Sequence, residues 1–248
     1  MKKTRIHGVW ILFLLSVVTC LQVKAQYMPV VFDKVYGDKN QIQLVCPLPG
    51  DEVALVGKEG QKYNLTWVER EGDVVFSLPL TGFTAVNEIA ELDNNRVLVV
   101  GQSTMPNVKG KKDRITLCGR IAVVERNGRI VTDIYAGDQG SNFLKGMLLR
   151  SGAFVVSGSE PKGADGRQGI LLKLDPTGSV VYQYKNAGGG YCDQFAVMGN
   201  SIEYICAAFS AGKDKEQALV VRLDDKGKPY YMTAIPAKQF VVTGLNAN

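Results

Sequence analysis

A short module that occurs four times is the feature that most limits how this 248-residue chain can fold. Each copy has an apolar residue, an acidic residue, two variable residues and a glycine. The copies occupy residues 68–72, 124–128, 174–178 and 223–227. Their glycines lie about 50 residues apart, and a fixed period of this length predicts a chain of repeated supersecondary units.

Between the modules the sequence reads as strands. Short β-branched runs bounded by turn residues take the same place in each repeat, at residues 53–57, 97–101, 154–158 and 203–207. In the third repeat we expect strands a, b, c and d at about 143–149, 154–158, 170–174 and 180–184. The module then forms the c–d turn, because Asp175, Pro176 and Gly178 suit a type I turn.

Repeated four-stranded antiparallel units of this size are typical of β-propeller blades, so we predict an all-β propeller with four complete blades. Residues 30–36 match an extra strand d and residues 240–244 an extra strand a, which gives a partial blade. Two alternatives are open. The chain is a C-terminally truncated or split form of a longer propeller, or it is a five-blade ring with one two-stranded blade.

The repeat resembles that of secreted bacterial β-propellers, especially those of Bacteroidetes. The resemblance rests on residues 34–37, 52–57, 65–69 and 72–76, which follow the pattern "k-x-yGg … gyvlaG … wlvklD-x-nG-x-v-w". It covers nearly the whole chain after the leader, and it implies a propeller fold without a catalytic signature. The departures are an insertion at residues 102–119 and Ala207, which stands where the other repeats have glycine.

The first residues read as a secretory signal peptide, so we assign residues 1–25 to a leader and 26–248 to the propeller domain. Basic Lys2, Lys3 and Arg5 precede an apolar run at 9–18, and small residues precede a cleavage point before Gln26. The expected location is secreted or periplasmic. The alternative is an outer-membrane lipoprotein anchored at Cys20. No later apolar run is long enough for a transmembrane span.

Composition excludes several kinds of chemistry. The single histidine, His7, lies in the expected leader, which argues against histidine-based catalysis and histidine-ligated metals in the mature chain. The leader also carries four of the 29 basic residues, so the mature chain is nearly neutral and no nucleic-acid partner is expected. We expect neither a metal site nor a cofactor.

Four cysteines follow the leader: Cys46, Cys118, Cys192 and Cys206. They form no CxxC pair, which argues against zinc. Cys192 and Cys206 fall on neighbouring strands of one hairpin, so a disulfide is one interpretation. Buried free thiols are the other, because an unpaired cysteine behaves as a small hydrophobic residue.

The b–c and d–a connections lie on one face of a propeller, and this sequence makes them long and varied, so we place any binding site there. The predicted binding residues are polar and aromatic groups of these loops, with turn chemistry as the structural alternative. They are Asp138, Gln139, Asn142, Arg167, Tyr191 and Asp193. The glycine-rich segment around Arg167 has no following helix, so it is no phosphate loop.

These features favour an exported, non-enzymatic propeller that acts as a binding scaffold for an unknown protein or glycan. One alternative is a carbohydrate-active enzyme, which needs two carboxylates about 5–9 Å apart in a cleft. Another is a truncated propeller fragment without independent function. We expect the repeated acids to form turns and to take no part in catalysis. They are Glu69, Glu125, Asp175 and Asp224.

Overall fold

A computed structural model describes residues 41–93, 95–105, 117–163, 166–186, 190–198, 204–209 and 217–236. These residues belong to one compact unit, residues 34–248. The expected leader with Cys20 and the partial-blade strands expected at 30–36 and 240–244 lie outside the described residues.

The described residues form sixteen strands in four antiparallel sheets, here called blades 1 to 4. Blade 1 contains β1 (Gln41–Leu48), β2 (Glu52–Glu59), β3 (Lys62–Val68) and β4 (Val74–Pro79). Blade 2 contains β5 (Phe83–Asp93), β6 (Arg96–Thr104), β7 (Leu117–Glu125) and β8 (Ile130–Ala136). Blade 3 contains β9 (Asn142–Leu148), β10 (Phe154–Lys162), β11 (Gly166–Leu174) and β12 (Val180–Lys185). Blade 4 contains β13 (Cys192–Met198), β14 (Tyr204–Phe209), β15 (Gln217–Leu223) and β16 (Pro229–Pro236). A 3₁₀ turn, Pro49–Asp51, joins β1 to β2.

Each blade is a four-stranded meander, and each blade packs against the next one in the sequence. Within a blade the strands pair in chain order, and the first strands of successive blades, β1, β5, β9 and β13, contact one another. This is the arrangement of a β-propeller, whose blades stack because no single blade buries both of its faces. The structure therefore confirms the predicted all-β fold with four complete blades.

Three apolar clusters lie between consecutive blades. The cluster between blades 1 and 2 includes Trp67 and Tyr63, which are 0% and 6% exposed. The prediction that these aromatic residues belong to the core is confirmed. The other two clusters include Phe143 and Phe209, both fully buried.

The repeated module forms the c–d turn in every blade, as predicted. In each copy the glycine N–H donates to the carbonyl of the acidic residue, at 2.8 Å for Gly72 and Gly128 and 3.0 Å for Gly178 and Gly227. These glycines have φ between 77° and 93°, a conformation that side chains disfavour. The strand register shifts beside each turn, so the module is a type I turn with a bulge.

In blades 1 and 3 the b–c connections are shorter than expected, because the hairpin strands continue into them. In blade 3, β10 and β11 pair as far as Lys162 and Gly166, although residues 159–169 were expected to form a loop. In blade 1 only Gly60 and Gln61 separate the strands. The polar residues next to the turn can pair their backbone N–H and C=O groups with the neighbouring strand while their side chains reach solvent.

The fourth repeat lies two residues away from its expected alignment. Leu223 precedes the turn acid and pairs with Ile205, and Val68 takes the same place in blade 1 and pairs with Val53. Gly57 lies four residues after Val53, and the residue four positions after Ile205 is Phe209. Phe209, and not Ala207, therefore takes the position at which the other repeats have glycine. Phe209 fills space beside the ring of Tyr184, at a centroid distance of 5.3 Å.

Cys46, Cys118 and Cys192 are buried and do not belong to a disulfide. Cys192 pairs in register with Phe209, whereas Cys206 lies opposite Ala196. The structure therefore shows the free-thiol alternative for Cys192 and not the disulfide. Burial raises the pKa of the Cys118 thiol to about 11, which suppresses its reactivity.

Candidate functional site

The face that carries the b–c and d–a connections is called the loop face here. Several hydrogen bonds hold the d–a connection between β8 and β9. The backbone N–H and the hydroxyl of Ser141 both donate to the carbonyl of Asp138, at 2.9 and 2.6 Å. The N–H of Gly140 donates to the carbonyl of Leu117 at 2.7 Å. The connection is therefore held in one conformation, with its carboxylate at the surface.

Lys185, the last residue of β12, joins this connection to the hairpin of blade 3. Its Nζ lies 2.9 Å from Oδ2 of Asp138 and 2.6 Å from Oε1 of Glu160. Gln168 donates to the same oxygen of Glu160 at 2.7 Å. The Glu160 side chain is 2% exposed and the Asp138 side chain is 74% exposed, so the network runs from the interior to solvent. The hydrogen bond from Lys185 to Glu160, reinforced by Asp138, raises the pKa of Lys185 against the opposing effect of burial.

Arg167 is exposed at the start of β11, but its guanidinium is fixed. Nε donates to Oγ of Ser159 at 2.8 Å, and Nη2 donates to the carbonyls of Ser159 and Gly140 at 3.0 and 3.1 Å. Gly140 has φ of +86°, and a Cβ there would lie 2.6 Å from Cγ of Pro161. A glycine therefore allows the close approach between the connection and the hairpin that brings Asp138 and Arg167 together.

The other predicted binding residues have different surroundings. Tyr191 is 45% exposed, and its carbonyl carbon would lie 3.1 Å from a Cβ at Gly169, two residues beyond Arg167 on β11. Gln139 is exposed. Asn142 points toward the neighbouring blade, where its Oδ1 accepts a 2.7 Å hydrogen bond from Asn87. The backbone of Asp193 lies in β13, and its side chain is outside the described part of the chain.

Sequence reasoning did not single out Ser159, Glu160, Gln168 and Lys185, although they complete the network. The first three were placed in an irregular loop, where strand pairing gives no guide to side-chain neighbours. The dipeptide Asp165-Gly166 is a recognised hairpin signal and was the available sign that the strands continue.

Hydrogen bonds from side chains also connect the innermost strands of the blades. Asn87 of β5 donates to the carbonyl of Phe143 on β9 at 2.6 Å. The N–H of Gly146 donates to Oε2 of Glu88 at 2.6 Å, and Lys145 donates to Gln194 on β13 at 3.1 Å. Burial raises the pKa of the Glu88 carboxyl, opposed by that hydrogen bond.

The opposite face, which carries the a–b and c–d turns, contains a groove of about 1030 Å³ between blades 1 and 2. Its charged side chains are paired. Arg96 lies 2.6 Å from Asp93, and Arg126 lies 2.6 Å from Glu52. Each pairing lowers the pKa of the carboxyl and raises that of the guanidinium. The pair Arg96–Asp93 holds a turn, and the pair Arg126–Glu52 joins two blades. These four charged groups are therefore already paired, and none of them is left to bind a charged ligand.

Within the described ranges, no cluster of three or more metal-ligating side chains occurs. The same residues contain no helix of the length and apolar character that crossing a bilayer requires.

No protein-family model matches the chain, and no curated protein matches it. Among solved structures, a Bacteroides caccae protein of unknown function is 15% identical, covers 83% of this chain and 71% of its own, and has a TM-score of 0.45. A variant of Synechocystis apocarotenoid oxygenase is 10% identical, with coverages of 81% and 51% and a TM-score of 0.45. The chain thus spans about half the length of that oxygenase. A subtype N10 neuraminidase-like protein is 11% identical, with coverages of 80% and 60% and a TM-score of 0.42. Likenesses this distant carry no functional argument.

Proposed function

We propose that this chain is an exported, non-enzymatic binding propeller whose ligand docks on the loop face at blade 3. The observation that carries the proposal is the ordered polar surface formed by Asp138, Lys185 and Arg167, with an exposed aromatic residue, Tyr191, beside it. Fixed polar groups next to an aromatic ring are the usual composition of a sugar or peptide site. A rigid scaffold that presents loops is a common basis for such binding.

The same geometry weighs against the enzyme alternative. Asp138 and Glu160 both contact one ammonium, at 2.9 and 2.6 Å, so their two oxygens are at most about 5.5 Å apart, at or below the short end of the range for a glycosidase. However, a glycosidase needs one carboxyl that holds a proton and one that attacks or activates water. Here the ammonium of Lys185 lies between the two carboxylates and the Glu160 side chain is 2% exposed, so the space that a substrate needs between them is filled.

We further propose that residues 1–25 are a signal peptide and that the repeat belongs with those of secreted Bacteroidetes-type propellers. The proposal is supported by the basic, apolar and small-residue order of the leader and by the recurring turn module. The intact mass of protein purified from an envelope fraction distinguishes a mature chain that begins at Gln26 from a lipidated chain that begins at Cys20.

Binding is best tested with a glycan array and with affinity capture from envelope extract, each using the wild-type chain and a triple variant. The variant Asp138→Ala, Asn142→Ala and Tyr191→Ala removes the exposed carboxylate, the inner amide and the aromatic platform. We expect this variant not to bind the ligands that the wild-type chain captures. A ligand that binds the triple variant as well as wild type would refute this location.

A matched control separates loss of a site from loss of the fold. The variant Asp225→Ala, Asn127→Ala and Tyr230→Ala has the same kinds of substitution at residues outside the loop-face network. Its ligand binding should equal that of wild type. If both triple variants lose binding equally while their melting temperatures stay at the wild-type value, the loss is not specific to the loop face and the assigned site is refuted.

A further inference from the structure

Arg167 is a cation of the loop face whose guanidinium uses only part of its hydrogen-bonding capacity. Three hydrogen bonds use its Nε and both hydrogens of Nη2. Among the described residues, no acceptor lies within hydrogen-bond distance of Nη1, and no carboxylate lies within ion-pair distance of the guanidinium. Lys185, by contrast, contacts two carboxylates. The site therefore keeps a fixed, exposed N–H₂ group with a positive charge.

A guanidinium that is held in place has already lost most of the rotamer entropy that binding would cost. Its vacant N–H groups suit a carboxylate oxygen, since charge-assisted hydrogen bonds to carboxylates are shorter and stronger than neutral ones. An anion that binds Nη1 also neutralises the positive charge of Arg167, which none of the described carboxylates neutralises. The chemistry of this side of the site therefore favours an anionic group on the ligand.

The surroundings favour a sugar as the carrier of that group. Tyr191 is 45% exposed, and its backbone carbonyl carbon would lie 3.1 Å from a Cβ at Gly169. Gly169 and Arg167 are on the same face of β11, because the two positions differ by two residues. The exposed carboxylate of Asp138, which contacts Lys185, can accept hydrogen bonds from sugar hydroxyl groups. An aromatic residue, an acceptor for hydroxyl groups and a guanidinium that donates to a carboxylate together match an acidic sugar.

We infer that the loop-face site of blade 3 binds glycans that contain a uronic acid, whose carboxylate accepts hydrogen bonds from Nη1 of Arg167. The inference rests on the proposed function and adds the class of ligand. It assigns Arg167 as the residue that distinguishes an acidic sugar from its neutral counterpart.

The test compares trigalacturonic acid with its methyl ester, which has the same ring and hydroxyl groups but no charge. Isothermal titration of the wild-type chain should give an affinity for the acid about 10 to 100 times that for the ester. This preference should fall as salt is raised. Equal affinities for acid and ester in wild-type protein would overturn the inference, and that comparison requires no variant.

Variants locate the discrimination. Arg167→Gln should reduce the acid-to-ester ratio to near one, and Arg167→Lys should retain part of it, because charge is kept while the fixed fork is lost. The control Arg129→Gln changes an exposed arginine of the turn face and should leave the ratio unchanged. Melting curves of all variants show whether the fold persists. A ratio that is equally reduced, or equally kept, in the Arg167 and Arg129 variants would contradict the assignment.

The outcomes also separate this inference from the proposed function. Neutral glycans that bind the site without regard to Arg167 would refute the uronic acid and keep the binding function. Polyglutamate that binds through Arg167 while the galacturonides do not would refute the glycan and indicate an acidic protein partner. Failure of every glycan and every captured protein to bind the loop face would overturn both.

Discussion

Glu52 connects blade 1 to blade 2, and its replacement gives a quantitative test of how the blades are joined. Its Oε2 accepts a 2.6 Å hydrogen bond from the indole N–H of Trp67, and its carboxylate accepts two-point hydrogen bonds from Arg126. Trp67 is fully buried, so water cannot replace the lost acceptor. An unsatisfied buried donor costs about 1–3 kcal/mol. The partly exposed ion pair adds at most about 1 kcal/mol.

Glu52→Ala should therefore lower the free energy of unfolding by about 1–4 kcal/mol. Glu52→Gln keeps an acceptor for the indole and should cost about 1 kcal/mol. Urea unfolding followed by tryptophan fluorescence is the assay, because the chain has two tryptophans and the other, Trp10, lies in the expected leader. The tryptophan fluorescence of the mature chain then comes from Trp67, at the contact between blades 1 and 2.

Glu59→Ala is the matched control, because Glu59 lies exposed at the other end of the same strand, β2. It should change stability by no more than about 0.5 kcal/mol. If Glu52→Ala and Glu59→Ala unfold at the same urea concentration, the argument from the buried indole is wrong.

The pH dependence of the same joint follows from the charge on Glu52. The hydrogen bond from Arg126, helped by that from Trp67, lowers the pKa of Glu52 from its ordinary 4.5, against a smaller effect of burial. A lowered pKa in the folded state stabilises the fold above the unfolded pKa, and this stabilisation is lost as pH falls through the folded pKa. The stability difference between wild type and Glu52→Gln should therefore shrink between about pH 5 and pH 3. A difference that stays constant over this range would contradict the assignment.

Three further predictions concern other parts of the fold. Gly158→Ala should lower the free energy of unfolding by more than about 3 kcal/mol or prevent folding, because its Cβ would lie 2.0 Å from a backbone carbonyl oxygen. Gly50→Ala, whose Cβ would have nothing within 4 Å, should lower it by about 1 kcal/mol. Equal melting temperatures for the two variants would count against this prediction. Asp175→Ala should lower stability by about 1 kcal/mol, because its Oδ1 accepts two backbone hydrogen bonds in the turn, and Asp225→Ala should be neutral in the same urea assay. Cys118, whose pKa is raised to about 11, should resist iodoacetamide at pH 8 until the chain is unfolded, as peptide mass spectrometry will show; rapid labelling of the native chain would refute its burial.

The parts of the fold that depend on local chemistry were predictable from the sequence. The turn module is such a part, because Gly178 and its equivalents are needed wherever the chain adopts a positive φ. The expected strands of the third repeat agree with the observed ones at their turn ends. Trp67 was also assigned correctly to the core, since a large aromatic residue on a central strand has few other places to go.

The parts that depend on pairing at a distance were not predictable. The two-residue displacement of the fourth repeat arises because Phe209 fills the position of a glycine, and a strand shifted by two residues keeps the same faces buried. The contact of Lys185 with Glu160 depends on the register across β10, β11 and β12, which propensity does not encode. The predicted site residues therefore did not include several residues of the network that holds these loops of blade 3 together.

The joint between Glu52 and Arg126 implies that the four blades are not interchangeable parts. Arg126 is the second residue after Val124 in its module, and the same position in blade 3 is Pro176, which carries no charge. Arg96 takes the place of Glu52 in blade 2 and pairs within its own blade with Asp93. The repeats share a backbone arrangement, but each boundary between blades has its own side-chain partners. The residues at the blade edges therefore specify the order of the blades. A chain with blades 2 and 3 exchanged would keep every turn signal and lose this recognition between neighbours.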